Sequence, residues 1–354
     1  MQRRLSRQVI VGGVAIGGGA PVTIQSMTNT DTHDVEATLA QIDLLVNAGC
    51  DIVRCTAPDK EAAAAFRAIK DGCKIPLVAD IHFDHRLAIL AMENGADKVR
   101  INPGNIGGAD KVRELTSCAK AHCVPIRIGV NAGSLEKELY RKYGGATPEA
   151  MVESALKHVA LLEAEGFYDI VISLKASDLE DTVAAYEAMS KACTYPLHIG
   201  VTEAGSGAAG LVKSASGLGI LLHEGIGDTL RISLTGDPVF EVEAARYLLR
   251  AMGLRKEGVE IVSCPTCGRT GFDLLPVVKQ VEEALPKDGP YLKVAVMGCA
   301  VNGPGEARDA DVGIAFGGDK GVIFAGGEQL GVSGKEQAVA ALIAEAKRRL
   351  SEER

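Results

Sequence analysis

The chain has 354 residues, 38 Lys and Arg against 46 Asp and Glu for a net charge of −8, and 47% hydrophobic residues. That length exceeds one ordinary hydrophobic core, so a large domain with a smaller companion is expected, and the acidic balance gives no electrostatic case for nucleic acid or an anionic membrane as partner. No apolar run approaches the ~20 residues of a membrane helix, and nine cysteines, an odd number spread along the chain, suit a reducing, cytoplasmic setting where thiols serve as core residues, ligands or catalysts.

At the N-terminus "RRLSRQVIVGGVAIGGGA" mimics an export signal, with paired arginines before an apolar stretch. Five glycines between Gly12 and Gly19 spoil a signal helix, so the segment reads as short strands and turns leading into a core strand. From Val22 to about Met252 a β-branched apolar run, a loop and a helical stretch recur eight times. The strand candidates are "VTIQSM" (22–27), "DIVRC" (51–55), "PLVADI" (76–81), "KVRIN" (98–102), "PIRIGV" (125–130), "DIVISLKA" (169–176), "PLHIGV" (196–201) and "TLRISL" (229–234). Helical stretches such as "DVEATLAQIDLLVNAG" and "DPVFEVEAARYLLRAMG" begin with acidic residues or Pro and stop at Gly. Alternating strands and helices call for a parallel sheet, and eight units in this length match a (β/α)8 TIM barrel over residues 1–252, with a doubly wound open sheet as the alternative. After the polar connection "GLRKEG", residues 253–354 form a second, smaller domain containing "VEIVSCPTCGR", a helix near 271–285, "YLKVAVMGCAVNGPGE", a glycine-rich strand region and a helix from about Lys335.

Barrel strands buried on both faces should be nearly all apolar, so charged residues within and just after them need a reason. They are Arg54, His82, Arg100 with Asn102, Arg127 with Asn131, Lys175, Glu203, and Arg231 with Ser233. Six of the eight strands thus present a cationic side chain at the end where barrels build their active sites. Like charges converging in a low-dielectric mouth need an anion, and guanidinium forks suit phosphate oxygens, which points to a polyphosphate substrate. Any one of these arginines read alone is an ordinary ion-pair partner. Glu203 is either such a partner or a general acid or base beside a bound phosphate ester. "GSGAAG" (205–210) matches a dinucleotide fingerprint, but it follows the seventh barrel strand, where barrels place a phosphate-binding loop.

In the second domain "CPTC" supplies Cys264 and Cys267, and Cys299 follows in "MGCAVNGPGE". Three thiols lack a fourth ligand. Structural zinc favours Cys or His in all four places, and no His follows His223; a dithiol redox pair leaves Cys299 unused. An iron–sulfur cluster accepts three thiolates and leaves one iron for another ligand, for which Glu306 stands seven residues after Cys299, across turns formed by "NGPG". Zinc, a dithiol and a [4Fe-4S] cluster all remain open at this point, as does a non-redox phosphate-binding barrel with a structural zinc appendage.

The series "APVTIQSMTNTDTHD", "VADIHF", "VRINPGN", "IRIGVNAGSL", "LHIGVTEAG", "RISLTGDP", "SCPTCGR" and "MGCAVNGPGE" resembles, in order and over nearly the whole chain, the bacterial 4-hydroxy-3-methylbut-2-enyl diphosphate synthase family of the non-mevalonate isoprenoid pathway, in its two-domain form. The resemblance implies a (β/α)8 barrel followed by an α+β, ferredoxin-like iron–sulfur domain. It also implies conversion of 2-C-methyl-D-erythritol 2,4-cyclodiphosphate to the open allylic diphosphate, with two electrons from flavodoxin or ferredoxin. Carried onto this chain, Cys264, Cys267, Cys299 and Glu306 hold a [4Fe-4S] cluster; Arg54, His82, Arg100, Arg127, Lys175 and Ser233 bind the diphosphate; and Glu203 transfers a proton. A carboxylate is a weaker, harder ligand than a thiolate, so Glu306 is expected to be displaceable. The resemblance further implies a head-to-tail homodimer in which the cluster serving one barrel belongs to the other chain.

Overall fold

The alternation of strands and helices resolves, in a computed structural model that describes residues 2–82, 84–101 and 108–352, into two compact units, Met1–Arg255 and Lys256–Arg354. The first begins with an antiparallel hairpin, β1 (Val9–Val11) and β2 (Val14–Ile16). Then come β3 (Thr23–Met27), β4 (Ile52–Thr56), β5 (Leu77–Ile81), β6 (Lys98–Ile101), β7 (Ile126–Asn131), β8 (Ile170–Lys175), β9 (His198–Ile199) and β10 (Thr229–Leu230). These eight are parallel and lie in the order β8-β7-β6-β5-β4-β3-β10-β9, and a parallel bridge between Ile172 and Leu197 joins the two ends. The sheet is therefore a barrel, not the open doubly wound alternative. Nine helices of the described chain carry the crossovers: α1 (Val35–Asn47), α2 (Lys60–Gly72), α3 (His85–Glu93), α4 (Ala109–His122), α5 (Lys137–Tyr143), α6 (Pro148–Ala164), α7 (Leu179–Ala192), α8 (Gly207–His223) and α9 (Pro238–Ala251).

Local chemistry sets this pattern. Asp34, Asp59, Asp84, Asp178 and Asp237 each cap the helix that follows, their carboxylates accepting a backbone N–H in its first turn. At the other end of the repeat, an Asp just before a strand clamps the start of a neighbouring strand: Asp51 accepts from Ile24 N at 2.7 Å, Asp97 from Leu77 N at 2.7 Å and Asp228 from Leu197 N at 2.8 Å. The hairpin closes the floor, with Val9, Val11 and Ile16 packed on Ile52, Val78 and Val171. The last two strands are shorter than "PLHIGV" and "TLRISL" suggest: each pairs over two residues. Beyond them the backbone turns into a loop that holds Glu203, Gly205 and Gly207 at positive φ, so Arg231 and Ser233 stand past the strand end. Asn102 lies outside the described residues. Among the described residues no helix is long and apolar enough to cross a membrane.

The second unit contains β11 (Val259–Ser263), α10 (Leu275–Ala284), β12 (Leu292–Met297), α11 (Gly303–Arg308), β13 (Val312–Gly317), β14 (Lys320–Ala325), β15 (Glu328–Gly334) and α12 (Lys335–Glu352). Its sheet runs β11-β12-β13-β14-β15, parallel through β13 and antiparallel after it. This is a mixed α+β sheet with sequential strand order, whereas a ferredoxin-like split βαβ interleaves its strands. β12 alternates between two cores: Val294 and Val296 pack with Val281, Ile314 and Leu342, while Ala295 and Met297 pack with Ala307 of α11 and Phe324. The segment expected to form turns at "NGPG" instead starts α11, with Pro304 in its first turn, where a missing N–H costs nothing.

Candidate functional site

Two-residue periodicity aims the barrel's charged residues. Ile52 and Val78 pack on the floor hairpin inside the barrel, so Arg54 and Asp80, two residues further along the same strands, face the lumen above them. Arg54, Arg100 and Arg127 are buried at 7%, 5% and 1% exposure. Asp80, also buried, serves two of them: its Oδ1 lies 3.2 Å from Arg100 Nη1 and its Oδ2 3.7 Å from Arg54 Nε. Burial opposes the charge on Asp80, but the two guanidiniums prevail and hold its carboxyl at about 2. Burial, with Arg231 and Arg100 nearby, brings Arg54 down to about 10 despite Asp80.

Arg231 has its own anchor. The buried Glu241 of α9 accepts from Arg231 Nε at 3.3 Å and from Nη2 at 3.1 Å, and also from Leu234 N at 2.8 Å. The thioether of Met27 sits between two arginines, 2.9 Å from Arg54 Nη2 and 3.5 Å from Arg231 Nη1. His82 stands at the rim, its Nε2 3.4 Å from Arg100 Nη1. Arg127 and Lys175 differ from these: among the described residues neither has a carboxylate within ion-pair distance, and Arg127 Nε and Nη1 are buried with no hydrogen-bond partner. Burial first, and then the surrounding arginines, push both cations below their ordinary values.

Two glycines make the room. A Cβ on Gly129 would stand 2.9 Å from Arg100 Nη2, 3.0 Å from its Cζ and closer still to Nε, and one on Gly200 would stand 2.9 Å from the carbonyl oxygen of Arg231 and 3.1 Å from Lys175 Nζ. Neither glycine has positive φ, so space, not backbone freedom, is what the missing side chain provides: for the Arg100 guanidinium at Gly129, and for the Arg231 backbone together with Lys175 at Gly200. Glu203 is exposed in the loop after β9 at φ 52°, a conformation that costs a non-glycine residue free energy and recurs at functional sites. Asn131 ends β7 and Ser233 lies after β10, both partly buried.

In the second unit, parallel neighbours bring two thiols to the same end of the sheet, past the C-termini of adjacent strands: Cys264 follows β11, with its N–H bonded to Val296 O of β12 at 3.1 Å, and Cys299 follows β12. Backbone N–H groups of Asn302, Val301 and Gly303 donate to the Cys299 sulfur and lower its pKa, and the backbone and side chain of Arg269 do the same for Cys267. Arg269 feels all three thiols. Glu306 is exposed on α11. Among the described residues no His, Cys, Asp and Glu group is gathered tightly enough to hold a metal as it stands. The chemistry of the donor set nevertheless fits an iron–sulfur cluster: three thiols at one end of the unit, two of them favoured as thiolates, and all nine cysteines free.

Residues 6–246 match the family described as the GcpE TIM-barrel domain, and residues 260–348 match the GcpE protein C-terminal domain. The chain belongs to the GcpE family. Its curated GcpE relatives include a protein of Caldanaerobacter subterraneus subsp. tengcongensis, 56% identical over 351 residues and 99% of both chains, one of Lawsonia intracellularis, 59% identical over 326 residues (92% of this chain, 91% of the relative), and one of Geobacter sulfurreducens, 56% identical over 347 residues and 98% of both. Each carries the name 4-hydroxy-3-methylbut-2-en-1-yl diphosphate synthase (flavodoxin). Solved structures similar to the GcpE barrel include a sialic acid synthetase from Leptospira borgpetersenii (TM-score 0.50, 12% identity, covering 71% of this chain and 92% of that one) and a dihydropteroate synthase from Yersinia pestis (TM-score 0.50, 11% identity, 70% and 98%); these speak to the fold alone.

For this GcpE chain, the structure brings Arg54, Arg100, Arg127 and Lys175 into one lumen and ties Arg231 to its edge. Sequence reasoning missed the residues that organise them. Asp80, inside the strand "PLVADI" and two before His82, carried the signal of a charge in an otherwise apolar strand. Glu241, four residues after the cap Asp237, had no signal beyond its place in a first helical turn.

Proposed function

We propose that the barrel mouth holds 2-C-methyl-D-erythritol 2,4-cyclodiphosphate and that this chain carries out its reductive ring opening and dehydroxylation to (E)-4-hydroxy-3-methylbut-2-enyl diphosphate, with flavodoxin or ferredoxin as electron donor. The observation that carries the reading is the charge imbalance in the lumen, where Arg127 and Lys175 lack a carboxylate among the described residues while Asp80 and Glu241 are already committed to other arginines. Full-length similarity to the flavodoxin-dependent synthases supplies the reaction.

Arg127 and Lys175 take the anionic phosphoryl oxygens. Arg54 and Arg100, aimed by Asp80, and Arg231, aimed by Glu241, add donors that are already oriented, so little reorganisation is needed as charge moves during bond breaking. His82, Asn102, Asn131 and Ser233 complete the contacts around the ring. Glu203 transfers the proton that dehydroxylation requires, since the hydroxyl must leave as water. Cys264, Cys267, Cys299 and Glu306 would hold the cofactor. A [4Fe-4S] cluster, when bound, supplies the two electrons one at a time. A cytoplasmic head-to-tail homodimer is part of the reading, and its two-chain stoichiometry is checked by mass measurement in solution.

The test is anaerobic turnover of the cyclodiphosphate with dithionite or reduced flavodoxin. Formation of the open allylic diphosphate is expected, together with its loss in Arg127→Met and Lys175→Met variants whose iron content is unchanged. Undiminished turnover in both variants would contradict the assignment of the lumen.

A further inference from the structure

Beneath the cations assigned to the substrate lies a layer that the reaction above does not use. Lys98 opens β6 and His198 opens β9; both are fully buried, as is Gln25 of β3. β4 and β5 separate β3 from β6 in the sheet, so the 3.3 Å hydrogen bond from Lys98 Nζ to Gln25 Oε1 crosses the lumen. Below the mouth, Gln25 Nε2 and His198 Nε2 are buried without a partner, as are Nε and Nη1 of Arg127, whose charge bears on His198. His198 Nδ1 lies 3.5 Å from Thr229 Oγ1 of β10, and Tyr186 of α7 donates its hydroxyl proton to His198 O at 2.5 Å.

Charge bookkeeping in this lumen does not close. Its cations are Arg54, Lys98, Arg100, Arg127, Lys175 and Arg231; its carboxylates are Asp80 and, reaching in from α9, Glu241. So many like charges cannot all persist where water is excluded. A guanidinium keeps its proton, so the relief falls on the lysines and the imidazole. Burial first, and then the neighbouring arginines, hold Lys98, Lys175 and His198 below their ordinary values.

We propose that anion binding at the barrel mouth is coupled to proton uptake by this buried layer, Lys98 and His198 beneath Lys175, which recharges when the anion arrives. The inference rests on the polyphosphate reading of the mouth and adds to it a proton linkage. The sign follows from the charges: an arriving dianion favours the protonated form of every base near it, so the complex binds more protons than the free protein and affinity strengthens as pH falls. The cyclodiphosphate itself contributes none, because each ring phosphoryl keeps a single acidic oxygen that is ionised far below neutrality. His82 at the rim and Glu203 in the loop after β9 are the other titratable groups at the mouth, which is why the assignment needs variants within the layer.

The experiment is isothermal titration calorimetry of the anaerobically purified, oxidised holoenzyme with the cyclodiphosphate, without reductant, in buffers of low and high ionisation enthalpy. The heat should depend on the buffer, reporting net proton uptake on binding, and Kd should tighten as pH falls. Lys98→Met and His198→Asn should each still bind and should each take up fewer protons; if one fails to fold, the other carries the assignment. Tight binding with buffer-independent heat overturns the linkage and leaves the substrate reading standing. Uptake unchanged in the folded variants overturns its placement in this layer. Absence of binding overturns both readings.

Discussion

Gly129→Ala isolates the geometry of the mouth with one methyl group. The strand backbone tolerates alanine, since φ there is not positive, but the new Cβ would stand 2.9 Å from Arg100 Nη2. An ordinary contact begins at 3.4 Å, and 3.4 − 2.9 = 0.5 Å, with more needed at Nε, so Arg100 must move by roughly 0.5–1 Å. That movement disturbs its 3.2 Å pair with Asp80 and displaces a donor from the proposed phosphate site. Overpacking costs about 1–3 kcal/mol of stability, and a misplacement of this size costs about 10- to 100-fold in kcat/KM. Steady-state kinetics, iron analysis and thermal unfolding separate the two effects. The expected result is a large loss of kcat/KM, unchanged iron and a melting point lowered by a few degrees. A variant with native kinetics would refute the view that Gly129 exists to seat Arg100.

Further outcomes follow from the same geometry. Gly219→Ala, in α8 with nothing within 4 Å of the added Cβ, should raise stability by up to about 1 kcal/mol through helix propensity, leave turnover unchanged, and serve as the control. Glu203→Gln should lower kcat with the cluster spectrum intact, while Glu203→Gly should stabilise the fold by relieving the φ of 52° and still lose activity; unaltered kcat in both would reduce Glu203 to a surface charge. Asp80 contributes stability that is present above the ordinary carboxylate value of ~3.9 and is lost as pH falls towards about 2, so Asp80→Asn should be less stable than the parent at neutral pH, and the difference should shrink on acidification through that window. A difference that does not change with pH would show that the carboxylate is not held by its arginines.

How far the sequence disclosed this arrangement depended on whether the determining interaction is local. The barrel was legible because strand, cap and stop signals repeat: Asp59 ahead of α2 and Gly49 or Gly95 ahead of the next strand are short-range chemistry. Strand ends were less legible, because the two-residue ladders of β9 and β10 depend on where the following loop leaves the sheet. The cationic ring could be read from two-residue spacing, but its division could not. Only the folded barrel shows that Asp80 serves Arg54 and Arg100, that Glu241 reaches Arg231 from a helix, and that Arg127 and Lys175 have no carboxylate among the described residues. Gly129 and Gly200 were invisible for the same reason, since a glycine that makes room for a side chain from another strand carries no local signature. α11 replaced the expected turns because Pro304 suits a first helical turn as well as it suits a loop. The sequential sheet of the second unit could not be deduced from strand positions, which do not fix strand order.

On the function proposed above, phosphate-binding cations in the barrel and a thiolate-held iron–sulfur cluster serve one reductive reaction. Its most direct test is a single anaerobic preparation analysed for iron and sulfide and assayed with the cyclodiphosphate and a low-potential reductant, beside Cys267→Ser. A brown protein with about four irons per chain, active with reductant and losing both iron and activity in the variant, is expected. A folded, colourless, iron-free protein that still converts the substrate would contradict it.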